Sequence, residues 1–412
     1  MPFRYFSLLL IVVVSATACG ESTVREGTTD ASVSSAIAET IPNPAGEGSG
    51  EPFLARGADG SLLMSWLEPA EEGSHALRFA RFRNGEWSEP VTIVQRDDFF
   101  VNWADFPSIV ETSSSLVAHW LQKSGDGPYS YDVMISRSAD DGSTWSPGAV
   151  LHTDGVEAEH GFVSLVAEGN DTIGALWLDG RNMTESDHGH GAGAMTLRFA
   201  RIHPDGTVSD RQELDDRVCE CCQTSMARTD AGYVAVYRNR SEDEVRDIGV
   251  VRQINGEWSE PSIIHDDGWE IAACPVNGPQ IDARGDALAV AWFTGAGDEG
   301  RVRAAFSTGG NAAAFDAPIR VDEGGAIGRV DTLMTGDDSA LVVWLGQDGG
   351  VLARTVSADG TRSPVHTIGR TSSSRAAGFP RIAMIDGVVY VAWTEPEGTP
   401  RIRLASINSE EI

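Results

Sequence analysis

The residues best suited to chemistry are four cysteines, three of them packed into Asp216-Arg217-Val218-Cys219-Glu220-Cys221-Cys222-Gln223-Thr224 and the fourth in Cys274-Pro275-Val276-Asn277-Gly278-Pro279. Three chemistries suit them. Disulfides are the default in an oxidising compartment. Four cysteines allow three pairings, but Cys221 and Cys222 are neighbours and bond to each other only through a strained ring. A thiolate–imidazole metal site is the second reading, with copper or zinc as the ion, because cysteine and histidine converge on soft or borderline metals. The spacing C-x-C-C matches no standard zinc motif. A redox or catalytic thiol is the third. His160, His188 and His190 are the candidate imidazoles. His188-Gly189-His190 also reads as a solvated, glycine-rich loop.

A second candidate is Tyr237-Arg238-Asn239-Arg240-Ser241-Glu242-Asp243-Glu244-Val245-Arg246-Asp247, which packs three arginines among four acids. It reads either as a solvated ion-pair hairpin or as an anion site. In the second case Arg238, Arg240 and Arg246, with Arg181, hold a carboxylate, sulfate or phosphate. Glu242, Glu244 or Asp247 then serves as acid or base. A carboxylate pair for glycoside hydrolysis fits this segment, but separation is not legible in a sequence.

These residues need a scaffold, and the chain repeats itself. A short apolar run ends in an aromatic at Trp66, Trp120, Trp177, Tyr237, Trp292, Trp344 and Trp393, at intervals of 49 to 60 residues. A period near fifty with strand-type patterning predicts an all-β fold, a β-propeller of four-stranded antiparallel blades. We count seven blades, with six as the alternative if one terminal repeat is not a blade. The heptapeptide Asn84-Gly85-Glu86-Trp87-Ser88-Glu89-Pro90 recurs unchanged at 255–261. The last repeat lacks a fourth strand. The segment Ser32–Ile41 can supply it and close the ring, which removes exposed sheet edges. In a propeller the d–a and b–c connections share one face. His160 and the cysteines fall on d–a connections, and Arg181, His188, His190 and the arginine-rich segment on b–c connections, so one face gathers them all.

One c–d turn, Ser138-Ala139-Asp140-Asp141-Gly142-Ser143-Thr144-Trp145, is a full Asp-box. Asp140 can accept from the turn backbone, Gly142 permits positive φ, and Trp145 plugs the blade side. With its propeller period the chain resembles the bacterial sialidase-like, BNR-repeat family over residues 50–410. The cysteine and arginine segments resemble an exported lipoprotein subgroup of it that carries C-x-C-C. The resemblance implies six blades, an arginine triad, a Tyr–Glu nucleophile pair and an aspartic acid. The family's Phe-Arg-Ile-Pro motif is missing; Phe379-Pro380-Arg381-Ile382 has similar letters in another order, so no catalytic residue carries over.

The 412 residues hold 61 Asp and Glu against 31 Lys and Arg, a net charge of −30. That surface argues against nucleic acid and anionic lipid. Arg4, the short apolar run Phe6–Val14 and Ala16-Thr17-Ala18-Cys19 resemble a lipoprotein leader with Cys19 lipidated, so export and attachment to the cell envelope are expected. The domain reading is a leader at 1–19, a tether at 20–50 that includes the closing strand, and a propeller at 51–412. Three functions are carried forward. The first is a sialidase-like monomer binding or hydrolysing an acidic glycan. The second is a copper-like or redox site of cysteine and histidine. The third is a non-catalytic scaffold. The cofactor is open, a transition metal being the candidate.

Overall fold

The computed structural model describes residues 38–183, 193–309 and 312–412. They form seven antiparallel sheets in a ring, with 3₁₀ turns as the helical elements among the described residues. The count is seven and not six because the last repeat is a complete blade. Its strands a to c are Arg381–Ile385, Val388–Glu395 and Arg401–Asn408, and Glu39–Ile41 adds the fourth. The closing strand pairs Glu39 with Ser406, Thr40 with Ala405 and Ile41 with Leu404. Asn43 Nδ2 to Ile402 O at 3.0 Å and Gly48 N to Pro400 O at 2.7 Å extend this closure.

Strand b is the most apolar strand in each blade because it lies between neighbouring blades and is covered on both sides. Its terminal aromatics Trp66, Trp120, Trp177, Tyr237, Trp292 and Trp344 are almost wholly buried. Two indoles find a carboxylate two residues on: Trp66 Nε1 donates to Glu68 Oε2 at 2.7 Å and Trp177 Nε1 to Asp179 Oδ2 at 2.8 Å. The alternation of β-strands alone would leave these N–H groups orphaned, and an unpaired buried donor costs about 1–3 kcal/mol.

The Ser138–Trp145 turn closes as its sequence requires. Asp140 Oδ1 accepts from Ser138 Oγ and from Thr144 N, each at 2.8 Å, while Gly142 N donates to Ser138 Oγ at 2.9 Å. Trp145 then meets the Phe79 ring of blade one edge-on at 5.9 Å, so the turn joins two blades. No helix of the described residues is long and apolar enough to cross a membrane.

Candidate functional site

The seven a strands surround a central cavity of about 490 Å³. Their inward N–H groups have no further strand to pair with, and side chains of adjacent blades take that role. Asp105 Oδ1 accepts from Phe162 N at 2.7 Å, Asp282 Oδ2 from Met334 N at 2.7 Å, and Asp331 Oδ2 from Ile382 N at 2.9 Å. These contacts link blades two to three, five to six and six to seven. Bulges interrupt three a strands at Glu51, Phe162 and Arg329, whose φ values are +51°, +53° and +56°. Positive φ at a non-glycine residue costs about 1–3 kcal/mol and is retained where a side chain must be re-aimed.

Asp105, buried in the lining of this cavity, shares a phenol with the half-buried Glu159. Tyr131 Oη lies 2.9 Å from Asp105 Oδ2 and 3.0 Å from Glu159 Oε1. A phenol carries one proton, so it donates to one carboxyl and the other carboxyl must donate to it. Burial pushes Asp105 up to about 7, against the pull of Phe162 N–H and Tyr131; burial pushes Glu159 up to about 8, with Asp105 adding to the rise. The two carboxyls and the phenol therefore share their protons as one coupled group. Gly161 makes this approach feasible, because a Cβ there would collide with Asp105 Oδ2. Three aromatic rings pack together: Trp103 stacks on Phe379 at 6.0 Å, and Phe106 is 5.9 Å from Phe379. Arg329 lies over Trp103 at 4.8 Å, and Arg381 over Phe53 at 4.9 Å and Phe106 at 5.6 Å. Reasoning from sequence missed this group. Asp105, Tyr131 and Glu159 belong to three separate connections and strands with no shared motif, and the one local signal was Glu159 standing next to His160.

The cysteines do converge. Cys219, Cys221 and Cys222 follow strand d of blade three (Val208–Val218), and Cys274 precedes strand a of blade five (Gln280–Arg284). Cys219 Sγ is 3.3 Å from Cys222 Sγ and 4.0 Å from Cys221 Sγ, and all four thiols are free. Arg246 Nη1 reaches Cys219 Sγ at 3.1 Å. Burial opposes ionisation of Cys219, but contacts from Cys221, Cys222 and Arg246 outweigh it and hold this thiol well below its usual range. The Cys221 thiol is raised by its contacts with Cys219, Cys222 and Cys274.

The arginines expected to clamp a ligand are placed otherwise. Arg238 is 2% exposed. Its guanidinium donates to Asn277 O at 2.7 Å, Phe293 O at 2.7 Å and Arg246 O at 2.5 Å, and it lies 4.8 Å over the Trp269 ring. That corrects its expected substrate role, because its donors are spent on backbone carbonyls left by the irregular loops. Arg240 is paired with Glu220 and Glu244, and Arg246 with Glu220 at 3.1 Å and Glu244 at 2.7 Å. Glu244 is therefore a bridge, held below its usual range by Arg240. Asp247 caps Gly268 N and Trp269 N at 2.9 and 3.1 Å, a structural use. Glu242 is exposed at the hairpin tip.

His160 is placed among carboxylates and a second histidine and not with the cysteines: its ligand atoms lie within 4.8 Å of those of Asp132 and His152, and of Asp154 and Asp179. Its Nδ1 faces Ala158 O at 3.1 Å and Tyr131 O at 3.2 Å, and its Nε2 faces Asp154 Oδ2 at 2.9 Å, so both nitrogens are engaged away from sulfur. It stacks on His152 at 3.7 Å. Arg181 joins this group through Asp179 at 2.6 Å and Asp154 at 3.2 Å. His188, His190 and Cys19 lie outside the described residues.

No family model matches this chain. No curated relative matches it in sequence. Solved structures match it in fold. The BP39L lectin of Burkholderia pseudomallei is 12% identical with a TM-score of 0.60, covering 88% of this chain and 95% of that one. The α-L-arabinanase of Penicillium chrysogenum is 12% identical, with a TM-score of 0.51 over 91% of this chain and 99% of that one. The polysaccharide lyase Uly1 is 10% identical, with a TM-score of 0.53 over 87% and 90%. At such identities the likeness carries the fold, a class of ring-shaped propellers whose functions reside in their individual sites.

Proposed function

We propose that this protein binds an acidic glycan at the mouth of its central cavity and hydrolyses a glycosidic bond there. The observation that carries the reading is the Tyr131 hydroxyl shared by Asp105 and Glu159. Both contacts are 3.0 Å or less, so the nearest carboxyl oxygens lie within about 6 Å of each other. That upper bound lies below the roughly 6.5–9.5 Å of inverting enzymes. Glu159, protonated, donates to the leaving oxygen. Asp105, ionised, faces the positive charge that develops at the sugar carbon. Phe106 and Arg381 line the cavity, and Arg381, which also pairs with Asp331 at 3.2 Å, offers charge for the acid group of a sugar. The solved structures named above, a lectin, an arabinanase and a polysaccharide lyase, support a glycan in general and not an acidic one.

The test is hydrolysis and binding measured across a panel of acidic and neutral polysaccharides. Glu159→Gln is expected to lower turnover by about 10²–10⁴-fold, the usual share of a general acid, with binding kept. Equal turnover in Glu159→Gln and the parent sinks the catalytic reading, and absence of glycan binding sinks the whole. We further propose export as a monomer with a lipid on Cys19. Fatty-acid labelling lost in Cys19→Ser supports the anchor, and labelling that persists removes it.

A further inference from the structure

We infer that Cys219, Cys221 and Cys222 form a thiolate site for a soft monovalent cation of the copper(I) type, with Cys274 as a fourth sulfur at its exposed side. This inference stands apart from the glycan reading and uses none of its residues.

A metal bound about 2.3 Å from each sulfur spaces its sulfurs roughly 3.7–4.0 Å apart in trigonal or tetrahedral arrangement. Cys219 Sγ stands 3.3 and 4.0 Å from its two partners, which brackets that spacing. All three ligand atoms lie within 4.8 Å of one another. Cys274 comes from a different connection, before strand a of blade five, and is exposed.

The loops that carry these sulfurs are locked before any ion arrives. Cys219 N donates to Arg238 O at 2.9 Å. Gln223, next to Cys222, donates to Ala104 O at 2.6 Å and accepts from Gly278 N at 3.0 Å. Gly278 carries no side chain where a Cβ would strike the Gln223 backbone, so the two cysteine loops can touch. A site held by such contacts loses little entropy on binding.

Electrostatics points the same way. Two donors aim at sulfur: Arg246 Nη1 at Cys219, 3.1 Å, and Asn277 N at Cys222, 3.4 Å. Both suit thiolate better than the weakly accepting sulfur of a disulfide. Arg240 and Arg246 are matched by Glu220 and Glu244, and Arg246 is the cation that also reaches the Cys219 sulfur. The three sulfurs that lie close together suit copper(I), whereas zinc in a structural site would also have to draw in the exposed Cys274.

The experiment is anaerobic titration of the reduced full chain with copper(I), then with zinc(II), read by native mass spectrometry. One copper per chain is expected. Copper should be lost at least tenfold in affinity in Cys219→Ser and Cys222→Ser and be kept in Cys274→Ser, which should lose zinc instead. X-ray absorption at the copper edge of the parent protein gives a readout that needs no variant, with a sulfur-only shell expected. Copper affinity unchanged in both Cys219→Ser and Cys222→Ser, a nitrogen- or oxygen-only shell, or tighter zinc than copper overturns the inference. So does protein purified without reductant or chelator that lacks metal and weighs four hydrogens less, the signature of Cys219–Cys222 and Cys221–Cys274 disulfides.

Discussion

Tyr131 Oη approaches Asp105 Oδ2 to 2.9 Å inside the ring, across a gap that only the bare Cα of Gly161 leaves open. Tyr131→Phe removes one of the two hydrogen-bond partners of this buried carboxyl and is expected to cost about 1–3 kcal/mol. Urea denaturation at neutral pH measures it; an unchanged midpoint would show that the bridge contributes nothing.

The same acids make a pH prediction. In the folded chain Asp105 is raised to about 7 and Glu159 to about 8, both chiefly by burial. Between about pH 4 and pH 8 the folded state thus holds protons that the unfolded chain has released, so this pair's contribution to stability falls as pH rises through that window. These values belong to the coupled pair. Glu159→Gln is neutral throughout. Relative to the parent its melting temperature should improve between pH 5 and pH 8 by several degrees, on a scale of roughly 2–4 °C per kcal/mol. A relative decline over that range contradicts the assignment.

Arg238 is predicted to act through stability alone. Arg238→Met leaves the carbonyls of Asn277, Phe293 and Arg246 without their donor. Each buried acceptor left unpaired costs about 1–3 kcal/mol, so a loss of roughly 3 kcal/mol or more is expected. Variants refolded or assayed at low temperature should bind glycan with parental affinity, and a selective loss of affinity would return Arg238 to the ligand.

Deleting residues 38–43 removes the closing strand. Ile41 packs against the apolar cluster of blades seven and one, and the Trp87 indole donates to Pro42 O at 2.9 Å. The expected loss is about 2–4 kcal/mol, from one buried aliphatic side chain and a few hydrogen bonds. Calorimetry that finds no change would mean that the ring closes without this strand.

Much of the architecture is legible from residues alone. The aromatic period from Trp66 to Trp393 sets the blade count, because each blade needs one apolar strand covered on both sides. The missing fourth strand of the last repeat requires a donor, and the stretch ending at Ile41 is the available one. The gathering of Cys219, Cys221, Cys222 and Cys274 follows from the same topology, since d–a connections share a face. Distances were decided only by the tertiary structure. Whether Arg238 meets solvent or three carbonyls depends on how the loops after Phe293 and around Asn277 fold back over it. His160 carries no mark in sequence that both its nitrogens are engaged. The Asp105–Tyr131–Glu159 link leaves no local pattern, because its partners come from different stretches of chain and meet only when blades two and three pack together. Burial and proton sharing are properties of that packing, and they turn three ordinary letters into a candidate acid pair.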